Sequence, residues 1–531
     1  MKTADYNFHI LAVVSFPQDI EGRTDPMDMI DIDLDTLDEA INRISHTISI
    51  PVPKKLCPAG YLFFKPSGIK DFRPHNLVKT IPYLKDVSDA LDFIDDSLKK
   101  GLTDDQIAGQ ILRRWPKLPL DLSSHTKQTV KVEQKEKSAV DNLLKMVAMP
   151  EDQEQHIYKG RGAEVWRSQT EMILSRLLEE VFAYNDFRHM ESTWKGVETI
   201  LKQGNIRHGG PVKLSICSCS SDSLATILDQ LKSLLSNEIP NLIILDYLID
   251  NSAPSIELLK RILDFAGDIL VPTMLWIDHR FFYLNNWSEL KRLPYIKHHL
   301  EDMAYAKWRK LRDNAGSDWV VITCNRFMGR PPYGNDNPPR PVFFRENEPL
   351  WISPVWGMGS LIAKSMNIYG WPTRFTDYPK IAIEDLEVAE VHEGGITCTE
   401  AVFNEDRIMQ LVEVGIIPIT GVMMKDMAIA PKEGTFSGGS LRFQLFFNRI
   451  IGFIFRLKQE IGNNAKDSNL PQMVKSALIG LFKDTGHSPP QDLSVQIATP
   501  QKESNELPLV IEFTPPASII PISERLKFFL S

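Results

Sequence analysis

The sequence predicts an α/β chain, α+β overall, in which a small N-terminal α/β domain precedes a larger α/β domain with a mostly parallel sheet and a β-rich C-terminus. Three observations predict it. A β-branched apolar run followed by amphipathic segments opens the chain, short apolar runs alternate with helical-period segments through its middle, and three strand-like runs close it. At 531 residues the chain exceeds what one hydrophobic core organises, and its 43% hydrophobic and 24% charged residues are those of a globular protein.

The first domain is expected over residues 1–120. Residues 6–16 (YNFHILAVVSF) read as a buried strand, Leu34 to Ile44 as a helix after an acidic segment, and Tyr61 to Phe64 as an alternating strand. Val87 to Leu98 reads as a helix with Leu91, Ile94 and Leu98 on one face. Residues 121–139 lose the large apolar side chains and gain Ser, Thr, Gln and Lys, the composition of a linker. Inside it Gln128 to Gln134 alternates, so Val130 and Val132 mark a candidate strand that needs a partner from elsewhere.

The second domain is expected over residues 140–531. Ile173, Leu174, Leu177, Leu178 and Val181 line one helical face. Strand-like runs follow at Leu214 to Cys217, Leu242 to Leu245, Ile269 to Val271 and Trp319 to Ile322. Helical periods at Leu224 to Leu235 and Ile256 to Phe265 separate the first three. Strand alternating with helix predicts a largely parallel sheet covered on both faces. Leu441 to Ile461 is a further apolar helix. After Pro489 and Pro490 come strand-like runs holding Val495 and Ile497, then Val510, Ile511 and Phe513, then Leu526, Phe528 and Phe529. The terminal run needs an edge to pair with, in its own domain or in a neighbouring subunit.

Composition excludes several classes. A formal charge of -9 lacks the basic excess of a nucleic-acid binder. The apolar stretch Ile10 to Phe16 is too short to span a bilayer and no cleavage site follows it, so membrane insertion is not expected and a cytoplasmic location is. The five cysteines, including the C-x-C pair Cys217 and Cys219, lack zinc-site spacing and read as reduced thiols. Asp31, Asp33 and Asp35 begin like a calcium loop, but Thr36 stands where glycine is needed and Asn42 where a bidentate Glu belongs. His298 and His299 are adjacent and cannot clasp a metal as an i, i+4 pair would. None of the glycine clusters, at Gly160 to Gly162, Gly357 to Gly359 and Gly438 to Gly439, matches a phosphate-cradling loop. No metal, cofactor or catalytic residue is expected. An enzyme assembled from distant residues, such as Asp246, Asp278 and His279 at strand ends, is the alternative from another class.

Several phrases, in order, resemble the large subunit of the type VI secretion contractile sheath. They are Tyr184-Asn185-Asp186-Phe187-Arg188 with Glu191 to Gly196 around Trp194, Tyr305 to Arg312 around Trp308, and Asn325-Arg326-Phe327 through Arg330, Pro331, Pro332, Tyr333 and Gly334. Ile368-Tyr369-Gly370-Trp371 with Thr373-Arg374, Cys398-Thr399-Glu400, Gly415 to Pro418 and Lys425 to Ala428 continue the pattern. The resemblance covers roughly residues 140–531. The first 120 residues resemble the small sheath subunit more distantly, through Phe8 to Val14 and Asp71-Phe72-Arg73-Pro74-His75 before Leu77.

The resemblance implies a fused small and large sheath subunit without enzymatic activity, self-assembling in six-fold rings stacked as a helical tube. It further implies an inner tube protein, baseplate proteins and, in the family, a disassembly AAA+ ATPase as partners. The large subunit's N-terminal helix used by that ATPase has no clear counterpart here, Gln106 to Trp115 being one candidate. The strands holding Val130 and Val132, Val495 and Ile497, Val510 to Phe513 and Leu526 to Phe529 are the expected interlocks between subunits. A sheath-derived baseplate or cap component is the alternative within the same machine.

Overall fold

The computed structural model describes residues 7–16, 29–122, 162–219, 224–235, 239–390, 395–461, 470–497 and 509–530, so Val130 and Val132 lie outside the described residues. The first part gives β1 (Phe8–Ser15), β2 (Met29–Ile32), α1 (Leu37–Ile44), β3 (Ile48–Pro51), β4 (Tyr61–Phe64), α2 (Pro74–Thr80), α3 (Pro82–Lys99) and α4 (Asp104–Arg114). The middle gives α5 (Gly162–Ala183), α6 (Asn185–Gln203), β5 (Val212–Cys219), α7 (Leu224–Leu234), β6 (Leu242–Leu248), α8 (Ala253–Ile269) and β7 (Thr273–Ile277). It continues with α9 (Ile296–His299), α10 (Ala306–Leu311), β8 (Val320–Cys324), β9 (Phe327–Arg330), β10 (Leu350–Ile352) and α11 (Pro354–Tyr369). The last part gives β11 (Ala389–Glu390), β12 (Ile396–Thr397), α12 (Glu405–Glu413), β13 (Ile416–Pro418), β14 (Thr420–Gly421) and β15 (Ala428–Ile429). It ends with α13 (Leu441–Ile461), α14 (Leu470–Asp484), β16 (Ser494–Ile497), β17 (Leu509–Phe513) and β18 (Leu526–Leu530).

Local chemistry sets these boundaries. Thr103 and Gln106 form a reciprocal capping box at the start of α4, satisfying donors that the first helical turn leaves open. Ser252 accepts from the Ser255 amide at the start of α8, with Pro254 in the first turn, where its missing N–H costs nothing. Gly370 ends α11 with φ 70°, a conformation that a Cβ would disfavour.

Seven strands form the central sheet in the order β13-β8-β7-β6-β1-β5-β2. All neighbours in it are parallel except β2, which runs antiparallel to β5 at one edge. Side chains of β1 alternate between two cores, as the period of a strand requires. Phe8, Ile10, Ala12 and Val14 join a cluster with α1, α3, α5, α6 and α11, whereas Leu11 and Val13 join the cluster that packs α7 and α8 on the opposite face.

Two expectations are corrected. Residues 1–120 do not close on a core of their own, because β1 lies between β5 and β6, pairing Phe8 with Val212 and Ile10 with Leu242. The buried side chains of α2 and of the first part of α3 join the same cluster, where Leu77, Leu84 and Val87 meet Leu174, Leu178 and Trp194, while Ile94, Ile107 and Ile111 pack with Ala163 and Trp166 of α5. The run Ile269 to Val271 is not a strand. Ile269 finishes α8, Leu270 turns the chain with φ 54°, and the strand begins at Thr273 after Pro272. A short apolar run between a helix and a proline reads equally as helix end or strand.

Candidate assembly surfaces

The C-terminal unit is built on α13. Leu441 and Leu445 in its first turns belong to the large core, while Phe446, Ile450, Phe453 and Leu457 belong to a third core with α14 and the strands β16 to β18. One continuous helix therefore carries the terminal sheet on the body. Trp371 is the socket: its ring stacks on Phe446 at 5.3 Å and Phe482 at 5.6 Å, and its indole N–H donates to Thr485 Oγ1 at 2.9 Å. Thr373 donates to the Ile519 carbonyl at 2.6 Å beside it. Arg374 pairs with Asp377 and lies over the Tyr369 ring at 4.2 Å, holding the turn that presents Trp371.

The terminal sheet has the order β16-β17-β18, antiparallel throughout, with Val495 opposite Ile511 and Phe528 opposite Ile511 on the other side. The last strand thus pairs inside its own chain. Ile511, Phe513 and Phe528 face the third core, and Leu526 and Val495 are partly buried against it. Phe529 is 72% exposed and Ile497 41%. On the outer face Glu512 bridges Arg525 at 3.4 Å and Lys527 at 3.1 Å. The outer edges of β16 and β18 carry no partner strand among the described residues.

A second constellation surrounds Arg330. Its guanidinium donates to both oxygens of Glu191 at 2.7 and 2.9 Å and to Glu346, which also takes Arg188. The Glu346 amide donates to the Tyr333 carbonyl at 2.9 Å, closing the loop 331–349 at its base. Tyr333 and Phe344 pack on Phe182, so charges and rings hold the same loop. Burial opposes the charged form of Arg330, but the carboxylates of Glu191 and Glu346 outweigh it and hold the guanidinium above its ordinary value. Burial first, and the two carboxylates after it, push the Tyr333 phenol up to about 12. Gly334 sits in open space near the loop's start, its amide donating to Asn337.

The remaining motif residues are structural. Trp194 is fully buried, donates to Ser45 Oγ at 2.9 Å and stacks on Phe16 at 5.3 Å, tying α6 to the N-terminal segment. Trp308 packs between Phe281 at 4.5 Å and Phe436 at 4.7 Å. Arg326 pairs with Glu400 at 2.7 Å, and Phe327 is wholly buried beside it. Burial works against the Arg326 charge and Glu400 restores it, raising the group above its ordinary value. Sequence reasoning missed Glu346 altogether. Glu191 was readable, as an acid on the apolar stripe that also carries Phe187, Met190 and Trp194.

The residues of the enzyme alternative are each occupied locally. Asp246 accepts from Ser353 and from the Trp356 indole, Asp278 caps the next turn and holds Arg280, and His279 Nδ1 donates to the Leu284 carbonyl at 2.8 Å. Among the described residues no group of three metal-ligating side chains gathers, and no helix is long and apolar enough to cross a membrane.

A mostly parallel sheet, a strapped loop and a β-rich terminal unit together define the class of fold. The chain belongs to the tail-sheath family described as VipB: EvpB/VC_A0108, tail sheath N-terminal domain, which matches residues 167–433. It is similar to the type VI secretion system sheath protein TssC1 of Pseudomonas aeruginosa, with 22% identity over 280 residues. That match covers 47% of this chain and 56% of the relative, little more than half of the relative's length. Two solved assemblies are also similar at 11% identity. The anti-feeding prophage baseplate gives a TM-score of 0.35, covering 62% of this chain and 78% of that one. The anti-feeding prophage helical sheath in its contracted state gives 0.32, covering 63% and 77%.

Proposed function

We propose that this chain is a structural subunit of a contractile, phage-tail-like sheath of a type VI secretion system. It polymerises in the cytoplasm around an inner tube and drives that tube outward by contraction, with no catalytic site of its own. The observation that carries the reading is the family match over residues 167–433, which takes in the strapped loop and Trp371. Residues 1–120 act as the small subunit fused in place. Neighbouring subunits interlock by adding an extended segment to an outer edge of β16 or β18, where main-chain hydrogen bonds survive while side-chain contacts rearrange. Baseplate proteins seed the assembly, and energy comes from the difference between two packings, so no nucleotide is needed in the sheath.

Negative-stain electron microscopy of the purified chain, alone and co-expressed with the products of neighbouring genes, tests this. Long hollow tubes are expected. Isolated particles or single rings in both preparations would overturn the polymer reading in favour of a baseplate or cap component.

A further inference from the structure

The loop 331–349 is long for a connection without secondary structure, and loops of that length are usually functional. Its base is pinned by the buried charges of Arg330 and Glu346, by the Phe182, Tyr333 and Phe344 rings, and by Ser175 of α5, which donates to the Phe343 carbonyl at 2.8 Å. Its outer stretch alternates. Val342 and Phe344 point into the core, whereas Arg340, Phe343 and Arg345 are exposed, Phe343 by 46%. Arg345 lies over the Phe343 ring at 5.9 Å, and Arg340 has no ion-pair partner among the described residues. Two cations flanking an exposed ring, on a base this firmly held, form a preorganised contact that loses little entropy on docking.

The chain also offers a complementary face. On α3 the apolar side chains Leu84, Val87 and Leu91 turn toward the core, leaving Asp89, Asp92 and Asp96 exposed on the opposite side. Asp96 has Lys99 at 3.6 Å, but Asp89 and Asp92 have no ion pair among the described residues. Burial first, and then the like charges of Asp89, Asp95 and Asp96, push the Asp92 carboxyl up, with Lys99 opposing them. An opposite charge brought by a partner would relieve that repulsion.

We propose that the exposed side of this loop's returning stretch, through Arg340, Phe343 and Arg345, docks on the Asp89, Asp92 and Asp96 face of α3 in a second copy of the chain. A contact between two different patches repeats from copy to copy, as an open polymer requires. The proposal rests on the sheath reading, and charge reversal separates the two. Because all four altered positions are exposed, R340E/R345E and D89K/D92K should remain folded, which circular dichroism checks. Each double variant should raise the protein concentration needed for tube assembly by about tenfold or more, and combining the four changes should bring it back to within about threefold of wild type. If R340E/R345E assembles at the wild-type concentration, the loop is not a contact. If the combined variant assembles no better than the worse double, α3 is not its partner. A wild-type chain that forms no tubes overturns the sheath reading instead.

Discussion

Glu346 is the residue on which the strapped loop depends, and its removal should be costly. Its side chain is 3% exposed, Glu191 is 2% exposed and Arg330 is 10% exposed, so the cluster is shielded from water. Glu346→Ala leaves Arg330 with Glu191 alone and Arg188 with only the Phe182, Glu348 and Pro349 carbonyls, so that a buried cation is undercompensated. Breaking a buried pair from one side costs about 3–5 kcal/mol. Glu346→Gln keeps the shape and an acceptor oxygen, and should cost less, about 1.5–3 kcal/mol for a hydrogen bond to a charged group. Hydrogen exchange is the suitable assay, because it reads local opening whether or not the whole chain unfolds in one step. The amides of Gly334 and of residue 346, bonded to Asn337 and Tyr333, report on the loop. At about 1.4 kcal/mol per decade, the alanine variant should lose roughly 100-fold or more of their protection. Protection within about threefold of wild type would show that the ion cluster does not hold the loop.

Trp371→Ala empties the socket between Phe446 and Phe482 and should cost about 3–5 kcal/mol, read as early proteolytic release of the C-terminal unit, with wild-type resistance counting against the socket. Gly196→Ala would place a Cβ 2.3 Å from the Trp356 ring where α6 crosses α11, so the helices must part, and a destabilisation of about 1–3 kcal/mol is expected in urea unfolding; an unchanged midpoint would refute the close packing. Burial pushes the Cys219 thiol up to about 11 and the Cys398 thiol up to about 12, against an ordinary 9.0. Raised folded values mean that the stability these thiols contribute is whole below about pH 9 and is lost as pH climbs through 11 to 12. At about pH 8 the folded chain should therefore react slowly with a disulfide reagent and all five thiols should react only after denaturation, so fast stoichiometric labelling of the folded chain would contradict the burial.

Periodicity made much of the fold legible. The patterns at residues 6–16, Val87 to Leu98, Leu441 to Ile461 and Leu526 to Leu530 correspond to β1, α3, α13 and β18, because β1 is an unbroken apolar run buried on both faces and the other three carry a periodic apolar face. The helix α11 was not legible, since Pro354 to Tyr369 is buried nearly all round and carries four glycine or serine positions among its apolar ones, giving no stripe. Helix α14 was missed as well. The family phrases pointed to Arg330, Tyr333 and Trp371 but not to what they do, because Glu346 lies 16 residues from Arg330 and Thr485 lies 114 from Trp371. Contacts at such separations leave no local pattern.

The central position of β1 bears on why the two parts are one polypeptide. A strand at a sheet edge can leave and its neighbour keeps half of its hydrogen bonds, but β1 supplies partners to β5 on one side and β6 on the other. Without it the two halves of the sheet have no common ladder, and Leu11 and Val13 leave a gap in the second core just as Phe8 and Ile10 leave one in the first. The N-terminal segment is therefore a part of the body rather than a module appended to it. Were β1 on a separate chain, its insertion would be a bimolecular step at ordinary protein concentrations. Covalent continuity makes that step intramolecular, so the effective concentration of the missing strand is set by the connecting chain and not by synthesis of a partner. Each copy then carries its sheet complete and its α3 face in fixed proportion to its strapped loop.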